Sequence, residues 1–170
     1  MNRLSDPSEY APYYGRYDYL VPRGPVLDAL RAQPDALARL LGTADPEAAY
    51  APGKWTVHQV LQHVVDTERV FAYRALSFAR GDGSPLPSFD ENAWAAAADV
   101  SDRPFAGTVA EFRAVRAATV ALFEGLTAEA WGRAGTASGS RMTVRAAAAI
   151  IAGHAAHHAA VLRERYGLSG

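Results

Sequence analysis

Apolar residues recur every three to four positions over four long stretches of the chain, and no stretch alternates with period two. That pattern predicts helices and no strands. The first helix is expected to open at Pro25 and stop at Gly42, with Pro34 kinking or splitting it. The second carries the clearest start signal. Thr56 with Gln59 forms a capping box, and Trp55 can staple onto Val60. It should run to about Arg80, with Gly81 as its stop. A short helix, ENAWAAAA, would be capped by Ser88 or Asp90. The third long helix is expected from Thr108, boxed by Glu111, to about Glu124. Gly125, Gly132, Gly135 and Gly139 then mark an open connection with one turn at AEAW. The last helix should begin after Thr143 and end near Tyr166.

Four such helices fit an all-α four-helix bundle in a single domain spanning residues 1–170. Residues 1–24 read as an irregular arm. Their many tyrosines are too apolar for a solvated tail, so the arm should pack on the domain. In the last helix Val144, Ala147, Ile151, His154, His158 and Val161 share one stripe, the seam that faces a bundle core.

Composition narrows the functional classes. The 170 residues carry a net charge of -1 with both signs mixed, which argues against a nucleic-acid or anionic-membrane partner. No apolar run approaches the roughly 18–20 residues of a membrane span. The start, MNRLSDPSEY, lacks a basic-then-apolar leader, so a cytoplasmic location is expected. There is no cysteine, so a cysteine nucleophile and cysteine metal ligands are excluded. Any thiol chemistry would need an external small molecule.

Two of the six seam positions in the last helix are histidine, and a third histidine, His63, sits in the apolar second helix. Residues at i and i+4 stack on one helix face about 5–6 Å apart, so His154 and His158 could grip one divalent ion. His63 from another helix would complete three ligands and leave positions open for water or substrate. His157 shares a face with His154 as well, and spacing alone does not separate the two pairings; the seam favours His158. His157 could then orient a ligand or touch substrate, while His58, in a first turn, is expected to be solvent-exposed. Asp66 could orient the His63 ring through its other nitrogen. Asp66 or Glu68 could also serve as a base for metal-bound water. Ala155 stands where an HExxH peptidase would carry its glutamate, which disfavours that class.

Taken together, KWTVHQVLQHVVDTERVFAYRALSFARGDGSPLPSFDENAW and GHAAHHAAVLRERY resemble the metal-helix segments of DinB/YfiT-like proteins. The shared pattern is a tryptophan at a helix start, here Trp55, with a histidine eight residues on, here His63. A histidine pair spaced by four follows in the final helix, here His154 and His158, with His157 before the second. The resemblance implies an up-down-down-up bundle, often dimeric, so a homodimer is expected. It implies His63, His154 and His158 as ligands of a divalent metal, nickel or zinc. It further implies transfer of a low-molecular-weight thiol to a small electrophilic substrate. Ala159, Ala160 and Val161 replace the arginine-glycine-glutamine that often follows the last histidine, so substrate contacts do not carry over at those positions. The alternatives are a hydrolase using metal-bound hydroxide and a non-catalytic metal-binding stress protein. The substrate pocket is expected toward the loop 81–98. Thr67, Arg74, Phe89 and Trp94 would be its walls, and Asp90, Glu91 and Asn92 its polar contacts.

Overall fold

In a computed structural model, described for residues 5–22 and 24–169, the helices are α1 (Gly15–Asp18), α2 (Val26–Leu41), α3 (Val57–Ala79), α4 (Glu91–Ala97), α5 (Phe105–Glu124), α6 (Ala128–Gly132) and α7 (Val144–Tyr166). The four long ones form the bundle. α3 packs on α5 and α7, and α2 packs on the same two from the opposite corner. Directions follow from side-chain pairs. His58 meets Thr108 and Glu68 meets Arg116, so α3 and α5 run parallel. Arg31 pairs with Glu124 and Asp35 with Arg113, so α2 opposes α5. Tyr166 donates to the Trp55 carbonyl while His154 meets His63, so α7 opposes α3. The result is the up-down-down-up arrangement. Because α3 and α5 are parallel, the chain must return the length of the bundle between them, and that return carries α4.

The Thr56–Gln59 capping box at the start of α3 forms as expected. Four expectations change. α2 continues unbroken past Pro34. Proline cannot donate to the Leu30 carbonyl four residues back, but Arg116 Nη1 donates to that carbonyl at 3.1 Å instead. α5 starts at Phe105 behind Pro104, three residues before Thr108, whose hydroxyl is buried against His58. His58 is itself buried, 2% exposed. The arm does pack on the domain, through buried Tyr10, Tyr17 and Val21; the part of it at residues 1–4, and Arg23, lie outside the described residues.

The fourth change is a hairpin, β1 (Ala134–Ala137) and β2 (Ser140–Thr143), paired antiparallel from Ala134↔Thr143 to Ala137↔Ser140. Its turn is Ser138–Gly139, both with positive φ, 53° and 74°, as tight hairpin turns require. Gly135 allows close packing, because a Cβ there would lie 2.2 Å from the Phe78 ring. The loop before α4 joins this hairpin: Leu86 N–H donates to Thr136 O, and Ser138 N–H donates to Leu86 O.

α7 is the central element. It is buried on nearly every side from Val144 to Ala155, with alanines letting its neighbours approach. Two apolar clusters fill the bundle. One, around Tyr17, Leu30, Phe71, Phe78 and Ile151, lies toward the hairpin. The other, around Leu40, Val60, Val64, Phe112 and Leu162, lies at the opposite end. The histidines sit between them.

Candidate metal centre

α3 presents His63, and α7 presents His154 and His158 one turn apart. The Nε2 atoms of His63 and His158 lie 3.0 Å and 3.1 Å from His154 Nε2. One ligand atom from each of the three rings falls within 4.8 Å of the others, and no other such cluster occurs among the described residues. His154 is buried, and His63 and His158 are half-buried. Burial disfavours the imidazolium, and neighbouring histidines add to it. Burial first, then His158, His63 and His157, push His154 well below its ordinary value. Burial first holds His63 at about 4, partly offset by the charge of Glu91. Burial, with His63 and His157, holds His158 at about 3. Three neutral imidazoles therefore point their Nε2 atoms at one place near pH 7.

This arrangement fits a divalent ion. Nitrogens held about 2.0–2.1 Å from zinc lie roughly 2.8–3.4 Å from one another, the shorter edges belonging to octahedral and the longer to tetrahedral shells. The two measured edges fall in that range. One proton on His154 Nε2 could serve only one of its two imidazole contacts, whereas a cation accepts all three lone pairs.

The rings are held from outside. Trp55 packs on His63 with centroids 4.9 Å apart. Tyr17 packs edge-on against His154 at 5.4 Å and His157 at 5.6 Å. Gly153 makes that possible, since a Cβ there would lie 2.1 Å from the Tyr17 carbonyl oxygen. The arm thus presses against α7 one residue before the buried ligand candidate.

Cavities open on both sides of the cluster. One, of about 210 Å³, has His63 and His154 in its wall with Tyr13, Tyr14, Tyr17, Thr67, Phe71, Phe89, Glu91 and Ser138. The other, of about 350 Å³, has His157 and His158 in its wall with Lys54, Trp55, Asn92 and Tyr166. Burial pushes the Tyr17 phenol above its ordinary value, with help from a hydrogen bond to Tyr13.

The other candidates separate. Thr67 and Phe89 line the first cavity. Arg74 and Trp94 line an adjoining one, about 430 Å³, which shares Phe89. Trp94 is 46% exposed and stacks on Phe89, so it does not seal the core. Asp66 does not turn to His63: its carboxylate accepts from Gln62 at 3.0 Å and faces Arg69. Glu68 is no candidate base, being locked against Arg116 deep between α3 and α5. His157 stands beside His158, centroids 5.1 Å apart, and burial lowers its pKa too. Of the loop residues, Asp90 caps α4, while Glu91 and Asn92 line the two cavities flanking the histidines. Sequence reasoning missed Tyr13, Tyr14, Tyr17 and Ser138 as cavity walls. The aromatic density of the arm was a signal that it docks, but nothing in it says where.

A family model for the DinB superfamily matches residues 27–162, most of the chain. The chain belongs to the DinB superfamily. Two curated relatives, from Geobacillus thermodenitrificans and Geobacillus kaustophilus, are each 29% identical to this DinB-superfamily chain over 147 residues. Each match covers 82% of this chain and 83% of the relative, and both relatives are named as candidate metal-dependent hydrolases. Among solved structures, YfiT from Bacillus subtilis superposes with a TM-score of 0.73 over 97% of this chain and 94% of that one, at 21% identity. YfiT is described as a candidate metal-dependent hydrolase with an unusual four-helix bundle topology, and the likeness places this chain in that fold.

Proposed function

We propose that the chain is a metal-dependent hydrolase of a small molecule, with His63, His154 and His158 as ligands and Glu91 as proton acceptor. One observation carries this reading: three neutral imidazole nitrogens converge, and two of the rings, His63 and His154, stand in the wall of a cavity that also holds the Glu91 carboxylate. The donor set suits zinc or nickel. When bound, such an ion supplies Lewis acidity and makes water a better nucleophile near pH 7.

The chain's own groups supply the rest. The Glu91 carboxylate takes a proton from the attacking water as its oxygen bonds to the scissile carbon. It then returns that proton to the leaving group as the old bond breaks. Tyr17 walls the cavity beside His154, and its hydrogen bond to Tyr13 fixes the ring there. Tyr14, Phe71 and Phe89 present apolar walls that limit bulk water.

Elemental analysis followed by a screen of esters, amides and lactones tests the reading. Glu91→Gln should keep its metal and lose roughly 10²–10⁴-fold in turnover. Unchanged turnover would remove Glu91 from the chemistry, and absence of metal would remove the site.

The second reading is transfer of a low-molecular-weight thiol to an electrophile. The cavity on the His157–His158 side favours it, because two approaches to one centre suit two substrates. A thiol adduct, rather than a hydrolysis product, would decide for it. Retention of metal without either product would make the chain a metal-holding protein. The reading also includes a cytoplasmic homodimer. Exposed Tyr19 and Leu20 beside an alanine-lined groove between α2 and α7 offer a surface for pairing. Sedimentation velocity and cell fractionation test those two points.

A further inference from the structure

Arg74 is 1% exposed, one of two arginines sealed inside the fold among the described residues. Its Nη2 donates to Pro87 O at 2.8 Å and to Ser138 Oγ at 2.9 Å. Its Nη1 is buried with no partner. No carboxylate pairs with it among the described residues. The guanidinium instead lies over the rings of Phe71 at 4.9 Å and Phe89 at 5.9 Å. Asp66, on the adjoining cavity, is occupied by Gln62 and Arg69. A buried charge without a counter-charge is costly, and structures keep one where something else neutralises it.

The groups next to Arg74 face the histidine cavity. Phe71, Phe89 and Ser138 all line it. Ser138 Oγ accepts from Arg74, so its own proton remains to be given. Serine holds this turn position at φ 53°, where glycine would be less strained. Thr67, also in the cavity wall, has a buried hydroxyl with no partner. Along α3, His63, Thr67, Phe71 and Arg74 follow one face. At 1.5 Å per residue Arg74 starts roughly 16 Å from His63, and its side chain reaches back along the helix toward it. Glu91 supplies the one carboxylate of that cavity wall and is solvent-exposed.

We propose that the end of this cavity remote from the histidines is a carboxylate subsite formed by Arg74, Ser138 and Thr67. The substrate would carry its reacting group at the histidine end and a carboxylate several bonds away. This rests on the reading of the histidine cavity as the substrate pocket. Entry of the carboxylate would bring Arg74 Nη1 its missing acceptor through a small shift of Phe89, and Thr67 and Ser138 would each donate one hydrogen bond.

Butyrate and neutral butyramide, titrated into the full-length protein as purified and followed by NMR, test this with inorganic phosphate as a third probe. Butyrate should bind at least ten-fold tighter than butyramide. Arg74→Gln should abolish that preference and Arg74→Lys retain part of it. Ser138→Ala, at an exposed turn, should weaken butyrate several-fold and keeps the test decisive if Arg74→Gln does not fold. Equal binding of butyrate and butyramide, undiminished binding in both Arg74→Gln and Ser138→Ala, or preference for phosphate over butyrate would each overturn the proposal. Metal content is measured on the same samples. Loss of the histidine-site reading would show there, and loss of the carboxylate subsite would show in the titration.

Discussion

Two arginines lie sealed among the described residues, Arg74 on α3 and Arg116 facing it from α5, and their surroundings are opposites. Arg116 is enclosed by partners. It meets Glu68 through two parallel bonds of 2.8 Å and donates again to Leu30 O and Gln33 Oε1. Gln33 passes the network on to the Ala152 carbonyl of α7. Four helices are joined there, and the charges cancel. Arg74 has two neutral acceptors and a free Nη1. Thr67 Oγ1, in the cavity wall, and His158 Nδ1, in the histidine cluster, are also buried without partners. The Arg116 network belongs to the scaffold, whereas Arg74 and Thr67 leave donors unused beside the cavity. A fold retains such costs where a ligand relieves them.

The comparison can be broken from the closed side first. Arg116→Met removes the counter-charge of Glu68 and leaves Leu30 O without a donor where Pro34 already denies it one. Urea unfolding should show a loss of about 3–5 kcal/mol, the usual cost of an unpaired buried charge. A loss under 1 kcal/mol would mean that the network is ornamental.

The open side should respond to metal. Zinc or nickel in excess should raise the stability of the wild-type protein by about 2.7 kcal/mol at 100 times Kd. In His154→Ala the rise should vanish, with most of the metal gone by elemental analysis. An equal rise in both proteins would place the ion elsewhere.

Acid should separate the two regions next. His63 and His158 are held at about 4 and 3, below the ordinary 6.5. In the metal-free protein the unfolded chain then binds more protons than the folded one between pH 6.5 and those values. Stability is full above pH 6.5 and falls as pH drops toward 4, by at most about 1.4 kcal/mol per pH unit for each ring. A shallower profile in His63→Ala/His158→Ala would assign that part of the slope to these rings, and an unchanged slope would assign it to other groups.

The smallest effect belongs to Trp94. It is half in solvent and stacks only on the cavity wall, so Trp94→Ala should cost less than about 1 kcal/mol and leave metal content unchanged. Its consequence should be confined to ligand binding through Phe89. Unfolding of this variant would show that α4 is scaffold.

Local signals were legible where the chemistry is local. The Thr56–Gln59 box and the seam of α7 each depend on residues within a turn or two, and both are seen in the fold. The i, i+4 spacing of His154 and His158 works the same way, and their Nε2 atoms do meet. The errors have the opposite character. His58 looked exposed because it lies in the first turn of its helix, yet Thr108, fifty residues away, supplies its partner. Pro34 looked like a break because its effect on α2 alone is unfavourable, yet Arg116 from α5 satisfies the freed carbonyl. The hairpin escaped because strands of four residues, AGTA and SRMT, are too short to show a readable alternation.

The sequence by itself thus determined the four helices, the bundle and the histidines that could share an ion, because helix faces repeat every 3.6 residues and need no distant information. Only the tertiary structure decided which charges are neutralised. Whether Glu68 is a base or a strut, whether Glu91 or Asp66 reaches the cavity, and whether Arg74 has a counter-ion all depend on groups brought together from opposite ends of the chain. Electrostatic energy depends on distance and burial in the folded molecule, and neither quantity is written in the spacing of residues along one helix.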